Sequence, residues 1–232
     1  MAPARNILLE ARDLVRDLGE AGSKTRVLHG VSLGIRRGEL LALTGHSGSG
    51  KSTLLYLLGA IDRPDSGTVL FEDVDLGALD DDERAAFRGA TLGFVFQFHF
   101  LLPEFSIAEN VALPMLRNGV LPDDAMDRAH AALDWVGLAD YANRRPGQLS
   151  GGQAQRAAVA RATAHDPKLI LADEPTGSLD TKNADAVFEL LSSLARERGC
   201  TVVVVTHDTD LAATCDRHVA MRDGRVLDDA RP

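Results

Sequence analysis

The sequence predicts an α/β fold, in which short buried strands alternate with amphipathic helices. Two nearly continuous apolar runs, "KLILAD" and "TVVVVT", occupy residues 168–173 and 201–206. Between them, apolar residues recur every three or four positions over 184–195, and Gly199 follows as a helix end. This strand–helix–strand order is typical of parallel strands that are buried on both faces of a sheet.

The other elements follow from local patterns along the chain. Before residue 91, the runs "ILLEA", "VSLGI", "ELLALT" and "GTVLFEDV" predict short strands in a mixed sheet, and "TLGFVF" predicts another strand. From Ser106 to about Ala164 the pattern is helical, with interruptions expected at Pro114, Pro122 and Pro146. The segment "VAMRDGRVL" predicts two strands joined by an Asp-Gly turn.

Composition excludes some classes of function. The chain has 232 residues, 45% hydrophobic and 25% charged, and a net charge of -9, which argues against binding of nucleic acid as its main task. No apolar run is long enough to cross a bilayer, and "MAPARNILLEARD" lacks the apolar core of a secretory signal. We therefore expect a cytoplasmic chain in which Cys200 and Cys215 are reduced, packed thiols.

The segment "GHSGSGKST" matches the phosphate-loop pattern G-x-x-x-x-G-K-[ST] between a predicted strand and a predicted helix. Glycines allow successive backbone N–H groups to face an anion, and the helix N-terminus adds partial positive charge. A flexible turn that matches by chance is the alternative, and the strand–loop–helix order argues against it. We predict that Lys51 binds the β- and γ-phosphates, Ser52 binds Mg²⁺ and Thr53 contacts the α-phosphate. The predicted nucleotide-binding residues here are Gly45, His46, Ser47, Gly48, Ser49, Gly50, Lys51, Ser52 and Thr53.

Two carboxylates end the predicted strand "LILADE". A carboxylate at the carboxyl end of a core strand is suited to hold Mg²⁺ through water, and we assign this role to Asp173. Glu174 is then available to polarise the attacking water. The alternative is that "DEP" only begins a loop with solvated acids, and the presence of the phosphate loop favours the functional interpretation.

The segment "LSGGQAQR" begins a helix with a capping box formed by Ser150 and Gln153. Gly151 and Gly152 lie in its first turn, where each glycine costs roughly 1 kcal/mol relative to alanine. A well-capped Ala-rich helix does not explain them, whereas close approach of a ligand does. We therefore predict an anion site at this helix N-terminus.

Six motifs stand in the order found in ABC-type ATPases, and the chain resembles that family over nearly its whole length. They are the phosphate loop, Gln97 after "GFVF", "LSGGQAQR", "LILADEP", "GSLD" at 177–180 and His207 after "TVVVVT". The resemblance implies a P-loop NTPase (RecA-like) core with an antiparallel β-subdomain. It also implies that residues 1–232 form a single nucleotide-binding domain, with a helical subdomain inserted at approximately 98–164.

Roles for further residues are implied by the same resemblance. Gln97 would reach Mg²⁺ or the attacking water, Asp180 would line the subunit interface, and His207 would contact the γ-phosphate. The loop of Ser150, Gly151, Gly152 and Gln153 would close on ATP held by a second copy, so that a head-to-tail homodimer encloses two ATP molecules.

One position departs from the family pattern. Family members usually stack adenine on an aromatic residue shortly before the second strand, and the matching position here is Leu18. Because stacking on an aromatic side chain is worth about 1–3 kcal/mol per base, we expect weak discrimination between bases.

The resemblance favours the ATPase subunit of a membrane transporter. A soluble ABC-type ATPase of DNA repair or translation is an alternative, but the segment between Gln97 and Leu149 is short and only one cassette is present. A P-loop kinase does not account for "LSGGQ". A peripheral location on the cytoplasmic face of the inner membrane follows from the transporter interpretation.

The segment after Gln97 has an unusually apolar sequence. In ABC-type ATPases this segment lines a groove for a short helix of the membrane subunit, and here it contains Phe98, Phe100, Leu101, Leu102 and Phe105. Alternatively, these residues cover the core of the helical insertion. The segment is most similar to the lipoprotein-releasing (Lol-type) group, and next to macrolide or peptide exporters and cell-division complexes.

Overall fold

The structure is a computed structural model that describes residues 6–20 and 23–230. The chain divides into two compact units, Met1–Arg84 with Val203–Pro232, and Ala85–Val202. In chain order the elements are β1 (Ile7–Leu18), β2 (Thr25–Arg36), β3 (Leu40–Thr44), α1 (Lys51–Leu58), β4 (Ser66–Phe71), β5 (Val74–Asp75), α2 (Asp81–Thr91), β6 (Leu92–Phe96), α3 (Ile107–Arg117), α4 (Pro122–Trp135), α5 (Gly151–Thr163), β7 (Leu169–Asp173), α6 (Thr181–Arg198), β8 (Thr201–Val205), α7 (Thr209–Ala213), β9 (Arg217–Arg222) and β10 (Arg225–Ala230).

An antiparallel sheet with the strand order β2-β1-β4-β5 forms one layer of the first unit. Buried apolar residues face each other across it, with Leu14 opposite Val31 and Leu9 opposite Phe71. The expectation of a mixed sheet was wrong, because β3 lies outside this sheet and pairs in parallel with β9. Every residue of β3 is buried, which requires cover on both faces, as in a parallel sheet.

The phosphate-loop strand β3 lies between β9 and β8 in the first unit. Backbone N–H of Thr206, just after β8, donates to the carbonyl of Leu43 at 3.1 Å. The ends of β3 and β8 therefore lie together at one edge of the sheet. The predicted turn between β9 and β10 is confirmed, since Asp223 and Gly224 have φ values of 48° and 69°.

The second unit combines a parallel strand pair with helices. Strand β6 pairs with β7 so that Phe96 lies opposite Asp173. Helix α3 packs against α4 and α5, and α5 packs against α6. Among the residues that the structure describes, no helix is both long enough and apolar enough to span a bilayer.

Two helical features differ from the sequence-based expectations. Helix α3 continues through Pro114, because the face that carries Ile107, Val111 and Met115 is fully buried and its packing outweighs the lost backbone hydrogen bond. Helix α2 was missed, although Asp80 and Glu83 form reciprocal bonds of 2.8 and 2.9 Å at its start.

Candidate functional site

The phosphate loop connects β3 to α1 in the first unit. Lys51 is buried, and its Nζ donates to the carbonyls of Gly45 at 2.8 Å and of His46 at 3.0 Å. The conformation needs glycine at Gly45, whose φ is 146°, because a Cβ there would lie 2.2 Å from the carbonyl oxygen of Met221. The loop is therefore shaped by its own backbone and by the strand β9 that packs on it.

Several donors of this loop are available to an anion. The N-cap of α1 is Gly50, and among the described residues no side-chain cap hydrogen bond is made there, so this end of the helix is not capped by its own N-cap side chain. Ser49 Oγ is buried and lacks a hydrogen-bond partner within the described ranges. Lys51 has three N–H donors, of which two bind loop carbonyls. Uncapped amides, an orphaned hydroxyl and a buried ammonium fit the phosphates of a nucleotide.

His207 lies in the same unit, directly after β8 and Thr206. Backbone N–H of Asp208 donates to Thr206 Oγ1 at 3.0 Å, which holds the turn that carries the exposed His207. Backbone N–H of Thr206 donates to the carbonyl of Leu43, so β3 and β8 end side by side. The phosphate loop begins after β3, and the turn that carries His207 begins after β8. The first unit therefore brings His207 and the phosphate loop to one edge.

The predicted Gln97, Asp173 and Glu174 lie together in the second unit. Since Phe96 is opposite Asp173 in the β6–β7 pair, Gln97 and Glu174 are the next residues at the carboxyl ends of these strands. The Gln97 carbonyl accepts from Ser178 Oγ at 3.2 Å, and Gln97 Nε2 lies 3.3 Å from the position of a Cβ on Gly177. The loop after β7 therefore packs against Gln97.

The predicted Mg²⁺ ligands all have oxygen donors. In the second unit, Asp173, whose exposed fraction is 8%, offers a carboxylate and Gln97 an amide oxygen. In the first unit, Ser52 offers a hydroxyl. These are hard ligands of the type that Mg²⁺ prefers.

The capping box at the start of α5 is confirmed. Backbone N–H of Gln153 donates to Ser150 Oγ at 3.3 Å, and backbone N–H of Ser150 donates to Gln153 Oε1 at 2.9 Å. Asp180 caps α6 in a similar way, accepting from the backbone N–H of Asn183 at 2.9 Å. Hydrogen bonds from Asn183 lower the pKa of the Asp180 carboxyl below its usual range.

Gly152 has a structural explanation that differs from the expected one. A Cβ on Gly152 would lie 2.1 Å from Oδ1 of Asn183, so packing within the chain already requires glycine there. Around Gly151 the space is open, since the nearest atom to a Cβ at that position would be Leu179 Cδ2, at 3.9 Å. Contact of the Gly151 and Gly152 backbone with a ligand stays a prediction.

The apolar segment after Gln97 is partly exposed. The exposed fractions of Phe98 and Phe100 are 63% and 62%, and those of Leu102 and Phe105 are 43% and 38%. Leu101 differs, because its side chain is buried with an exposed fraction of 6%. We call the four exposed side chains Phe98, Phe100, Leu102 and Phe105 the apolar patch.

Two side chains that the sequence analysis missed hold this segment. Arg161 of α5 donates to the carbonyls of His99 and Phe100, both at 2.7 Å. Asn110 is fully buried and bonds to both backbone groups of Leu102, at 2.7 and 3.0 Å. In the sequence, their only signal is a polar residue among the apolar positions of a predicted helix.

Leu18, at the end of β1, has an exposed fraction of 41%. The position at which the family usually has an aromatic residue is therefore occupied by a partly exposed aliphatic side chain.

Cys200 and Cys215 are free thiols, and burial raises the pKa of Cys200 to about 12, which keeps it protonated.

Comparisons with known proteins agree over most of the chain. The family model described as "ABC transporter" matches residues 28–177. A lipoprotein-releasing system ATP-binding protein LolD from Geobacter metallireducens is 50% identical over 96% of this chain and 99% of its own. LolD 1 from Rhodopseudomonas palustris is 52% identical over 88% of this chain and 90% of its own.

Solved structures show the same similarity. The dimeric ATP-binding cassette MJ0796 in a post-hydrolysis state with ADP and Pi has a TM-score of 0.89 and 38% identity, covering 96% of this chain and 98% of its own. The protein cbiO1 from Clostridium perfringens, part of the complex cbiONQ, has a TM-score of 0.87 and 29% identity, covering 98% of this chain and 90% of its own.

Proposed function

The chain belongs to the ABC transporter family of ATP-binding subunits, and we propose from this premise that it is the ATP-hydrolysing subunit of a lipoprotein-releasing transporter. The observation that carries the ATPase function is the phosphate loop, in which a buried Lys51 and an uncapped helix α1 offer donors to a polyphosphate. The cargo follows from relatives of about 50% identity that are named as lipoprotein-releasing ATP-binding proteins.

The chain's own residues account for the steps of hydrolysis. Lys51 and the loop amides bind the phosphates and withdraw charge from them, and His207 donates to the γ-phosphate. Glu174 accepts a proton from the attacking water, which Gln97 orients. Ser52, Asp173 and Gln97 are the residues that would hold Mg²⁺, which would supply charge neutralisation for the phosphates.

Closure of a homodimer completes the proposed mechanism. The Ser150 hydroxyl and the exposed Gly151 amide bind the γ-phosphate held by the second copy, and Asp180 lies in the interface. The dimeric state of MJ0796 with ADP and Pi supports this arrangement. Two copies would then work with transmembrane subunits, and the chain would lie on the cytoplasmic face of the inner membrane.

The apolar patch is the proposed docking site for the membrane subunit. Four large apolar side chains lie exposed on one short segment, and Phe100 contacts the rings of Phe96 and Phe98 at centroid distances of 5.7 and 6.4 Å. Arg161 holds the backbone beneath them. Such an ordered apolar surface fits an apolar helix of a partner.

The experiment that tests the function follows lipoproteins in cells depleted of this chain. We expect lipoproteins to remain in the inner membrane, and we expect release to be restored by the wild-type chain but not by Lys51→Ala. Normal release during depletion would exclude the proposed cargo. Altered tolerance of macrolides or peptides, or a block of cell division, would then point to the related transporter groups.

A further inference from the structure

Asn183, in the first turn of α6, is bound to the loop that precedes this helix. Its backbone N–H donates to Asp180 Oδ1 at 2.9 Å, and its side-chain Nδ2 donates to Asp180 Oδ2 at 2.8 Å. Both oxygens of the Asp180 carboxylate are therefore engaged by one residue. This fixes the orientation of the carboxylate.

The other side of the Asn183 amide rests on the start of α5. A Cβ on Gly152 would meet Oδ1, Cγ and Cβ of Asn183 at 2.1, 2.4 and 2.9 Å. The last distance matters most, because Cβ of Asn183 does not move when its side chain rotates. Any side chain at position 152 would therefore displace one helix from the other and would also push Nδ2 away from Asp180.

The two loops joined in this way are the ones that carry Ser150 and Asp180. Gly152 lies two residues after Ser150 at the start of α5, and Asp180 lies immediately before α6. Ser150 and Asp180 are both exposed, whereas the half-buried Asn183 contacts Asp180 on one side and Gly152 on the other. Asn183 therefore links the position of one loop to that of the other.

We propose that Asn183 is a positioning residue, which sets the Ser150 loop and the Asp180 carboxylate in register so that both reach the second copy together. The inference rests on the proposed function, in which these loops form the dimer interface. Asn183 does not contact nucleotide in this account. Its loss should therefore spare ATP binding by the monomer and impair the steps that need closure.

The first experiment measures ATP-dependent dimerisation of the purified full-length chain in a Glu174→Gln background. We expect Asn183→Ala to weaken dimerisation at least about tenfold, while ATP affinity of the monomer changes less than twofold. Asn183→Asp keeps the shape of the side chain but replaces the donor to Asp180 with a second carboxylate, so it should impair closure as well. Asp185→Asn, an exposed change on the same helix, is the matched control.

The outcomes separate this inference from the function on which it rests. If the Glu174→Gln parent does not dimerise with ATP, the proposed dimer is wrong. If the parent dimerises and both Asn183 variants dimerise equally well, the positioning role is wrong. A loss of monomer ATP affinity that matches the loss of dimerisation would also overturn it, because that result would indicate general damage to the fold.

A double-variant cycle tests the steric contact between the two helices. Gly152→Ala alone should impair ATPase activity strongly, and adding Asn183→Gly should restore activity to the level of Asn183→Gly alone, since the clash is then removed. Asn183→Ala should rescue less, because its Cβ remains. If Gly152→Ala lowers activity by the same factor in both backgrounds, Gly152 is needed for another reason and the inference fails.

Discussion

Glu174 has a backbone conformation that is uncommon for its residue type. It follows the last residue of β7 with a φ of 49°, in the left-handed region that non-glycine residues seldom occupy. Such outliers persist where the surrounding structure holds them, and they concentrate at functional sites. The conformation is consistent with the proposed role of Glu174 as the base.

The prediction for this residue is a separation of binding from hydrolysis. Glu174→Gln keeps the shape of the side chain and removes the charge that polarises water, so ATPase turnover should fall about 100-fold or more. ATP affinity, measured by calorimetry, should stay within about twofold of wild type, since Lys51 and the loop amides bind the phosphates. A variant with normal turnover would show that another group is the base.

Leu18 leads to a second prediction about a single residue. Without an aromatic ring to stack on adenine, the Kd values for ATP and GTP should differ by less than tenfold. Leu18→Tyr should strengthen ATP binding about fivefold or more, because base stacking is worth about 1–3 kcal/mol. Leu18→Ala is the control and should change ATP affinity little; strong base preference in the wild type would contradict the assignment.

Helix α5 connects two proposed functions of the chain. Its N-terminus carries Ser150, and Arg161 in its last turn holds the carbonyls of His99 and Phe100. The helix has 13 residues and is therefore about 20 Å long. Phe100 has a φ of 46°, which is uncommon for a residue other than glycine. The two charge-assisted hydrogen bonds from Arg161 stabilise this conformation beneath the apolar patch.

At this scale we predict loss of docking without loss of ATP binding. Phe100→Asp should lower co-purification with the membrane subunits at least about tenfold, since a buried unpaired carboxylate costs several kcal/mol. Aspartate tolerates a positive φ better than most residues, so the fold should survive. Leu121→Asp, at a residue that is 69% exposed and lies outside the patch, is the matched control. Wild-type yield of the complex with Phe100→Asp would reject the docking site.

For the assembled molecule, the dimer model predicts complementation between two inactive chains. Ser150→Arg blocks closure by its bulk, and Lys51→Ala removes phosphate binding. A mixed dimer confines both changes to one of its two sites and leaves the other intact. Size-exclusion chromatography with ATP should show a dimer in the mixture and monomers for each variant alone. Absence of the mixed dimer would contradict sites shared between subunits.

Acidification should destabilise the folded chain. Burial, together with the Arg161 charge, lowers the pKa of His99, and burial lowers the pKa of His165. The unfolded chain therefore binds more protons below the ordinary histidine value of 6.5, and the free energy of unfolding falls as pH decreases through that value. Urea midpoints at pH 7.5 and 5.5 measure the change. His99→Asn retains an acceptor for the backbone N–H of Leu101 and should reduce the pH dependence; an unchanged dependence would contradict a contribution from His99.

Local patterns in the sequence were sufficient for the features that involve neighbouring residues. Four features each depend on a few adjacent positions: the phosphate loop, the Ser150–Gln153 capping box, the Gly199 helix end and the Asp-Gly turn. The structure confirms the capping box, the helix end and the turn. Helix α2 belongs to the same class, because Asp80 and Glu83 at its start form a capping box between neighbouring residues. The sequence analysis nevertheless missed this helix.

Tertiary structure decided the features that join distant residues. Arg161 reaches His99 across 62 positions, β3 pairs with β9 instead of joining the antiparallel sheet, and Asn183 takes the space that Gly152 leaves. A periodic pattern shows that a side chain is buried but does not name its partner, because the partner depends on how helices and strands pack. The sequence by itself therefore determined the family, the α/β core and the phosphate loop, while only packing decided why Gly152 is a glycine and what holds the apolar patch.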